Sequence, residues 1–256
     1  MKISHGNFDK LADNYDKYRP GYSEPVKSII LDYVNSNNIN FSDVGAGTGI
    51  WTRIVNQDKR VVSVTAVEPS NNMREFGKNH NNNNNINWIE GTAENTNLQD
   101  NSKNLITMAS SFHWANFDNA TKEFHRVLVN DGVFCALWNP RYIFNNPILV
   151  DIENKITELN PDIKRVSSGK SDFVENLTSK FNDNEYFKDL VFLESRHTKE
   201  MTREQYIGAW LSVNDIQFQL GEKFDSFIEY IKDKIKNEDM IYASYITRAW
   251  LVRKKK

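Results

Sequence analysis

The stretch Asp43-Val44-Gly45-Ala46-Gly47-Thr48-Gly49 (DVGAGTG) decides how the surrounding sequence folds. It contains three of the eleven glycines in a chain of 256 residues. Residues 40–44 before it are typical of a short strand, and residues 48–55 are typical of a helix. Glycines between a strand and a helix let the backbone adopt positive φ and approach a ligand closely. The stretch therefore predicts a tight turn beside a binding crevice.

Strand and helix patterns alternate on both sides of this turn. Strands are predicted at 40–44, 60–67, 86–89, 104–109 and 133–138, and helices at 22–33, 48–55, 70–78 and 117–128. Such alternation predicts an α/β, Rossmann-like fold with a mostly parallel sheet and helices on both faces. Two later strands, at 189–199 and 240–253, complete a seven-stranded sheet. The segment after the fifth strand, rich in helical patterns, predicts a helical cap insertion.

Composition excludes several classes of partner. The net charge is −2 with acids and bases spread along the chain, so no basic surface indicates nucleic acid. No apolar stretch approaches the length of a membrane span, and the N-terminus shows no apolar signal core. Cys135 is the single cysteine and the five histidines show no close pairing, so neither a disulfide nor a metal site is expected. A soluble, cytoplasmic protein is the expectation.

The spacing around the turn narrows the ligand to a nucleoside. Glu68 ends the next predicted strand, 19 residues after Gly49. A carboxylate there can accept hydrogen bonds from both ribose hydroxyls. A dinucleotide fingerprint would need glycine where Ile50 stands, and a phosphate loop would need a Gly-Lys-Ser/Thr ending that does not occur. The pattern favours a nucleoside with a small zwitterionic group over a pyrophosphate.

With these motifs the chain resembles the class I S-adenosylmethionine (SAM)-dependent methyltransferases, in the small-molecule branch called type 11. The glycine turn is similar to the family's first motif. Four further segments resemble its later motifs: Val67-Glu68-Pro69-Ser70-Asn71-Asn72-Met73, Gly91-Thr92-Ala93-Glu94, Ser110-Ser111-Phe112-His113-Trp114 and Tyr15-Asp16-Lys17-Tyr18-Arg19-Pro20. The resemblance covers residues 8–140. The His-Trp pair and the Tyr/Arg-Pro segment resemble most the trans-aconitate methyltransferase-like group.

The resemblance implies SAM as cofactor, S-adenosylhomocysteine (SAH) as product and a small-molecule acceptor methylated at oxygen, nitrogen or carbon. In the family, Glu68 would contact the ribose, Met73, Ala93 and Glu94 the adenine, and Arg19 the methionine carboxylate. The full set of implied cofactor-binding residues is Tyr18, Arg19, Asp43, Gly45, Ala46, Gly47, Glu68, Pro69, Met73, Ala93, Glu94 and Ser110.

For the residues that bind and activate the methyl acceptor, the sequence leaves alternatives open. His113 is the candidate catalytic base, because histidine titrates near physiological pH, and its alternative is an imidazole that only packs at the pocket rim. Trp114 and Trp138 are candidate walls for the acceptor or, alternatively, core residues. Arg141 is a candidate clamp for an acidic substrate or a solvated arginine.

The resemblance also implies an organisation. Residues 1–140 form the SAM-binding core with an N-terminal lid segment, 141–236 a substrate-selecting helical cap with a late strand, and 237–256 the final strand. Two other functions stay open: a non-catalytic SAM- or nucleoside-binding subunit, and an NAD(P)-dependent oxidoreductase, which Ile50 disfavours. The acceptor and the oligomeric state are not determined by the sequence.

Overall fold

The structure, a computed structural model, describes residues 18–79, 85–164 and 171–256. Within them lie seven strands: β1 (Ile39–Val44), β2 (Val61–Val67), β3 (Ile86–Ile89), β4 (Lys103–Ala109), β5 (Leu128–Trp138), β6 (Phe187–Met201) and β7 (Ile241–Lys254). They form one sheet in the order β3-β2-β1-β4-β5-β7-β6. The first five pair in parallel, and β7 lies antiparallel between β5 and β6. The predicted α/β, Rossmann-like, mostly parallel seven-stranded sheet is confirmed.

Ten helices occur in the described ranges: α1 (Glu24–Val34), α2 (Ile50–Asn56), α3 (Asn71–Asn79), α4 (Phe117–Val127), α5 (Pro147–Leu159), α6 (Asp172–Glu175), α7 (Leu177–Asn182), α8 (Arg203–Leu211), α9 (Asn214–Leu220) and α10 (Phe224–Lys234). Single 3₁₀ turns occupy Phe112–Trp114 and Gly221–Lys223. In this part of the chain no helix has both the length and the apolar character needed to cross a membrane.

Two elements differ from the sequence prediction. β5 begins at Leu128 rather than at 133, and it passes through Asp131, whose φ of +60° accompanies a shift in the β4–β5 register. Asp131-Gly132 had the composition of a turn, but here the pair sits inside a strand as an irregularity. Helix α8 lies within the predicted helical cap 141–236, but its own bounds were not predicted from the sequence. Tyr206, Gly208, Ala209 and Trp210 are buried together, so its burial follows no single helical face.

The central strands are covered on both sides. Residues 133–138 of β5 are all buried, as are Phe41 and Val44 of β1 and Leu105 and Ile106 of β4. Continuous apolar runs of this kind are what parallel strands between two helix layers require. Cys135 lies in this run, where burial raises the pKa of its thiol. It is therefore an inert, small apolar residue.

Phe112 anchors the loop that follows β4. Its ring is fully buried and lies 5.1 Å from the ring of Phe134 on β5 and 5.5 Å from that of Phe173 on α6. Because Phe112 begins the 3₁₀ turn Phe112–Trp114, this aromatic packing fixes the position of His113. A second apolar cluster joins α5, α8 and α10, where the rings of Trp210 and Phe227 meet at 5.2 Å. We call α5, α8, α9 and α10 the cap; the predicted domain boundaries at 140 and 236 stay predictions.

Replacing Phe112 with alanine should lower the free energy of unfolding by about 3–5 kcal/mol, because it leaves a cavity among packed aromatic rings. Phe112→Leu should cost less, about 1 kcal/mol, since it conserves much of the volume. Urea unfolding followed by fluorescence measures both. The matched control is Phe218→Ala, at a ring that is 80% exposed. Equal losses at the two positions would refute the anchoring role of Phe112.

Candidate functional site

The glycine turn between β1 and α2 has the backbone that the sequence predicts. Gly45, Gly47 and Gly49 have φ values of +66°, +58° and +85°. The backbone N–H groups of Gly45 and Ala46 both donate to the carbonyl of Val67, at 2.8 and 3.2 Å, which ties the turn to β2. A Cβ added at Gly45 would lie 2.8 Å from Ser111 Oγ, whereas one added at Gly47 would meet no atom within 4 Å. Gly45 is thus packed, and Gly47 faces open space.

Glu68 joins the glycine turn to the end of β2. Its buried carboxylate accepts hydrogen bonds from the backbone N–H of Gly47 through Oε2 (2.8 Å) and of Ser70 through Oε1 (2.9 Å). Arg74 Nη1 donates to the Glu68 carbonyl at 2.8 Å and so holds the same segment from α3. The carboxylate predicted to bind ribose is therefore oriented beside the turn, although the ribose contact itself stays a prediction.

Asp43 lies behind the turn rather than on its open side. Both carboxylate oxygens accept from hydroxyls, Oδ2 from Thr52 (2.6 Å) and Oδ1 from Thr107 (2.9 Å). Full burial raises the pKa of Asp43 to about 7, the two hydroxyl bonds oppose this shift, and the nearby Glu68 adds to it. Asp43 therefore connects β1 to α2 and β4. The direct cofactor contact implied for it stays a prediction that these bonds do not support.

A cleft opens at the carboxyl ends of β1, β4 and β5. Arg19, Tyr22, Ala46, Ser110 and Asn139 are among its lining residues. It lies where the strand order reverses, since the chain runs outward from β1 to β3 and then returns to β4. Ligands of open parallel sheets bind at this switch point. Ser110 is held there at a φ of +56°, a left-handed conformation that is uncommon outside glycine.

The segment before α1 covers this cleft. The hydroxyls of Tyr22 and Ser110 share a hydrogen bond of 3.0 Å, and the Tyr22 ring stands edge-on to Trp51 at 5.0 Å. Asn139 Nδ2 donates to the Gly21 carbonyl at 2.9 Å, while its Oδ1 accepts from Thr247 Oγ1 at 2.9 Å. Sequence reasoning missed Tyr22 and Asn139. The available signal was position, because Asn139 follows β5 directly as Ser110 follows β4.

Tyr18 and Arg19 connect this covering segment to the cap. Tyr18 Oη donates to Glu204 Oε1 at 3.1 Å, and Arg19 Nη2 donates to the Ser212 carbonyl at 3.2 Å. The Tyr18 ring lies so close to Gly208 that a Cβ there would approach it to 2.3 Å. Arg19 also lines the cleft, which keeps its predicted contact with the methionine end geometrically open. Tyr15, Asp16 and Lys17 of the same motif lie outside the described residues.

The residues predicted for the adenine side lie beyond Glu68. Met73 on α3 and Ala93 after β3 are buried. Glu94 is exposed and its Oε1 accepts from the backbone N–H of Asn116, the N-cap of α4, at 2.7 Å. Pro69 follows Glu68, and its carbonyl accepts from Arg74 Nη1 at 3.2 Å. Nothing in these contacts tests binding of an adenine, so their roles stay predictions.

His113 is held by Trp138. Trp138 Nε1 donates to His113 Nδ1 at 3.3 Å, while His113 Nε2 is buried with no hydrogen-bond partner. Burial lowers the pKa of His113 to about 4, and the carboxylate of Asp215 on α9 opposes this shift. The ring is therefore neutral at pH 7. The sequence-based expectation that it titrates near physiological pH does not match this environment.

The three residues predicted to bind the substrate, Trp114, Trp138 and Arg141, lie in different environments. Trp114 is 42% exposed, whereas Trp138 is buried and donates a hydrogen bond to His113. Arg141 is neither solvated nor part of the cleft lining. Its guanidinium stacks on the Trp210 ring at 3.8 Å and its Nη1 lies 3.8 Å from Glu153 Oε1. Its charge is thus balanced inside the cap, which weakens the predicted clamp for an acidic substrate.

Among the residues that the structure describes, no group of three His, Cys, Asp or Glu side chains could hold a metal ion. The polar side chains that line the cleft are instead the Arg19 guanidinium, the hydroxyls of Tyr22 and Ser110 and the Asn139 amide. Such groups recognise polar functions of an organic ligand.

Comparison with known proteins finds methyltransferases similar to the core of this chain. Residues 42–136 match the family model Methyltransf_11, described as a methyltransferase domain. A provisionally named methyltransferase of Dictyostelium discoideum is 30% identical over 126 residues, 49% of this chain and 46% of that protein. A provisionally named S-adenosylmethionine-dependent methyltransferase of Saccharomyces cerevisiae is 24% identical over 142 residues, 54% of this chain and 48% of that protein. The chain spans about half the length of these curated relatives.

The fold has a counterpart among solved structures. A protein of Anaeromyxobacter dehalogenans, provisionally named a type II methyltransferase, superposes with a TM-score of 0.68 at 14% identity. The superposition covers 93% of this chain and 98% of that one, so the likeness includes the region after β5. At this identity it shows a shared fold. The matched methyltransferase-domain model covers residues 42–136, which span the end of β1, the glycine turn, the strands β2, β3 and β4 and most of β5.

His113 should make the stability of the protein depend on pH. Its pKa is lower in the folded state, about 4, than in the unfolded chain, about 6.5, so the unfolded chain binds the proton more readily. The contribution of His113 to the free energy of unfolding should be fully present above pH 6.5, and about 3 kcal/mol of it should be lost as the pH drops to 4. His113→Gln should flatten this part of the curve in urea unfolding. The raised pKa of Asp43 favours the folded state at low pH, but it does so equally in the parent protein and in His113→Gln. Parallel plots of unfolding free energy against pH for these two proteins would therefore contradict the prediction.

Gly208→Ala should destabilise the protein although alanine favours helices over glycine by about 1 kcal/mol. The added Cβ would collide with the Tyr18 ring and displace the covering segment. In a Tyr18→Ala background the same substitution should become neutral or stabilising. Thermal denaturation of the four proteins in this cycle measures the change of sign. An equal loss of stability on Gly208→Ala with and without Tyr18→Ala would show that the collision with the Tyr18 ring is not the cause.

Proposed function

We propose that this protein is a SAM-dependent methyltransferase that methylates a small-molecule acceptor and releases SAH. The observation that carries the proposal is the Glu68 carboxylate, held beside the glycine turn by the Gly47 and Ser70 amides. The segment that matches the methyltransferase-domain model, residues 42–136, includes the glycine turn, Glu68, Ser110 and His113. The activity of the whole protein is a proposal, because the matched segment is only part of the chain.

The described residues fit a nucleoside with a sulfonium amino-acid tail. Gly47 opens onto unfilled space beside Glu68, which suits a ribose that donates its hydroxyls to the carboxylate. Thr48 Oγ1 is buried without a hydrogen-bond partner, as a site built for a polar ligand would leave it. Arg19, Ser110 and Asn139 line the cleft on the other side of the turn and suit the carboxylate and amine of the tail.

Bound SAM would supply an electrophilic methyl group. Transfer of that group to the acceptor would leave the carbon–sulfur electron pair on sulfur, so that SAH would depart as a neutral thioether. The protein's part is to align the acceptor, exclude water and receive any proton that the acceptor loses. The covering segment 18–23 and the cap serve the first two tasks, since the segment is bonded both to the cap and to Ser110 in the cleft lining.

Three finer assignments belong to the same proposal. Membership in the trans-aconitate methyltransferase-like branch is supported by the motifs at Tyr18-Arg19-Pro20 and His113-Trp114 and leaves the acceptor open. A small-molecule acceptor, rather than nucleic acid, is supported by the net charge of −2. Cytoplasmic localisation is supported only by the composition of the sequence.

Glu68→Ala should weaken SAH binding by about 1.5–3 kcal/mol, the loss expected for hydrogen bonds to a charged group. Isothermal titration calorimetry measures this directly. Glu68→Gln should lose less, because one carbonyl oxygen still accepts, and the exposed Glu75→Ala on α3 is the matched control. In thermal-shift assays SAM and SAH should stabilise the protein and NAD and NADP should not. Stabilisation by NAD alone, or unchanged SAH affinity in Glu68→Ala, would refute the proposal.

A further inference from the structure

Buried polar atoms without hydrogen-bond partners gather between the end of β5 and the cap. In the described part of the chain they include His113 Nε2 and both carboxylate oxygens of Asp215. The charge of Asp215 acts on both His113 and Arg141, so these side chains share one environment. Leaving a buried polar atom unpaired costs about 1–3 kcal/mol. Several such atoms together indicate a site whose ligand completes them.

Trp138 decides which nitrogen of His113 carries the hydrogen. An indole Nε1–H can only donate, so the His113 Nδ1 that receives it must be the unprotonated nitrogen. The hydrogen of the neutral ring is therefore on Nε2, the atom that has no partner. In this form His113 can donate a hydrogen bond from Nε2 and cannot accept a proton there. A general-base role would first require the Trp138 bond to break.

Asp215 supplies the complementary acceptor. An ionised carboxylate only accepts hydrogen bonds, and both oxygens of Asp215 are buried without a donor. Arg141, the cation under its influence, is already paired with Glu153 and stacked on Trp210. A hydrogen-bond donor on a ligand would therefore pair with this carboxylate.

We infer that His113 Nε2–H and the Asp215 carboxylate form the acceptor subsite and hold a hydroxyl or amine that accepts from His113 and donates to Asp215. The inference rests on the proposed function and adds the substrate class to it. A carboxylic acid fits this subsite poorly, because its charge at pH 7 would face the buried charge of Asp215. The acceptor is methylated at oxygen or nitrogen, and the product is an ether or a methylamine rather than an ester.

The arrangement of His113 and Asp215 also determines which group receives the proton that the acceptor loses. As the oxygen– or nitrogen–methyl bond forms and the carbon–sulfur bond breaks, the acceptor's proton passes to a carboxylate oxygen of Asp215. The carboxylic acid then returns that proton to solvent when the product leaves. His113 keeps its Nε2 hydrogen throughout and positions the nucleophile. Asp215 is the base that the sequence motifs did not reveal.

The chemical class of the product tests the inference even while the acceptor itself is unidentified. The full-length protein is incubated with methyl-labelled SAM and a metabolite extract, together with a panel of phenols, alcohols, amines and carboxylic acids. Products are then treated with mild alkali, which releases labelled methanol from esters but not from ethers or methylamines. We expect alkali-stable label. Alkali-labile label would overturn the inference while leaving the proposed function intact.

Variants of the two residues test the roles separately. Asp215→Asn should lower kcat by about 10²-fold or more, as loss of a general base does. Its KM for SAM and its affinity for SAH should change by less than about twofold, which also verifies folding. His113→Gln keeps a side-chain N–H donor and should retain much more activity than His113→Phe. Equal inactivity of both His113 variants would indicate a base and overturn the assignment. Asp225→Asn, at an exposed carboxylate on α10, is the matched control.

Nitrogen-15 NMR of the imidazole rings gives a readout that does not depend on turnover. With SAH present, His113 should show a protonated Nε2 and a bare Nδ1 across the neutral pH range. A protonated Nδ1 would overturn the inference. If SAH does not bind, or if no labelled product of either kind forms, the proposed function fails and the inference fails with it. That result is distinct from alkali-labile product, which contradicts only the substrate class.

Discussion

The buried carboxylate of Asp43 is the interaction on which the site depends. By accepting from Thr52 and Thr107 it fixes the first residue of the glycine turn to both α2 and β4. Thr107 in turn accepts from Trp51 Nε1 at 3.0 Å, and Trp51 supports the Tyr22 ring over the cleft. Because an unpaired buried carboxylate is costly, these bonds hold the turn in one conformation. The open backbone at Gly47 and the orientation of Glu68 both follow from that rigidity.

The second constraint is the way the covering segment closes the cleft. Tyr22 and Gly21 are bonded to the ends of β4 and β5, while Tyr18 and Arg19 are bonded to the cap. One short segment therefore touches the core and the cap together. The same contacts link α8, which carries Glu204, to Arg19 in the lining of the cleft.

The core side and the cap side of the site differ in their charged and hydrogen-bonding groups. On the core side, Glu68 is oriented by backbone amides and suits hydroxyl donors of a ribose. On the cap side, burial keeps the pKa of His113 low and the ring neutral, and Trp138 fixes its tautomer. Arg141, the charge expected to suit an acidic acceptor, is already compensated by Glu153. A neutral acceptor group is what this arrangement of donors and carboxylate can bind.

The sequence by itself determined the sheet and the turn, because strand periodicity and glycine spacing are local properties of the chain. It placed Glu68 beside Gly47, since the ends of neighbouring parallel strands meet at one edge. It could not determine Asp215, Asn139 or Tyr22, whose importance arises only from contacts between distant segments. The pKa of His113 and the pairing of Arg141 were equally invisible. Both depend on burial and on partners far along the chain, and only the tertiary structure decides these.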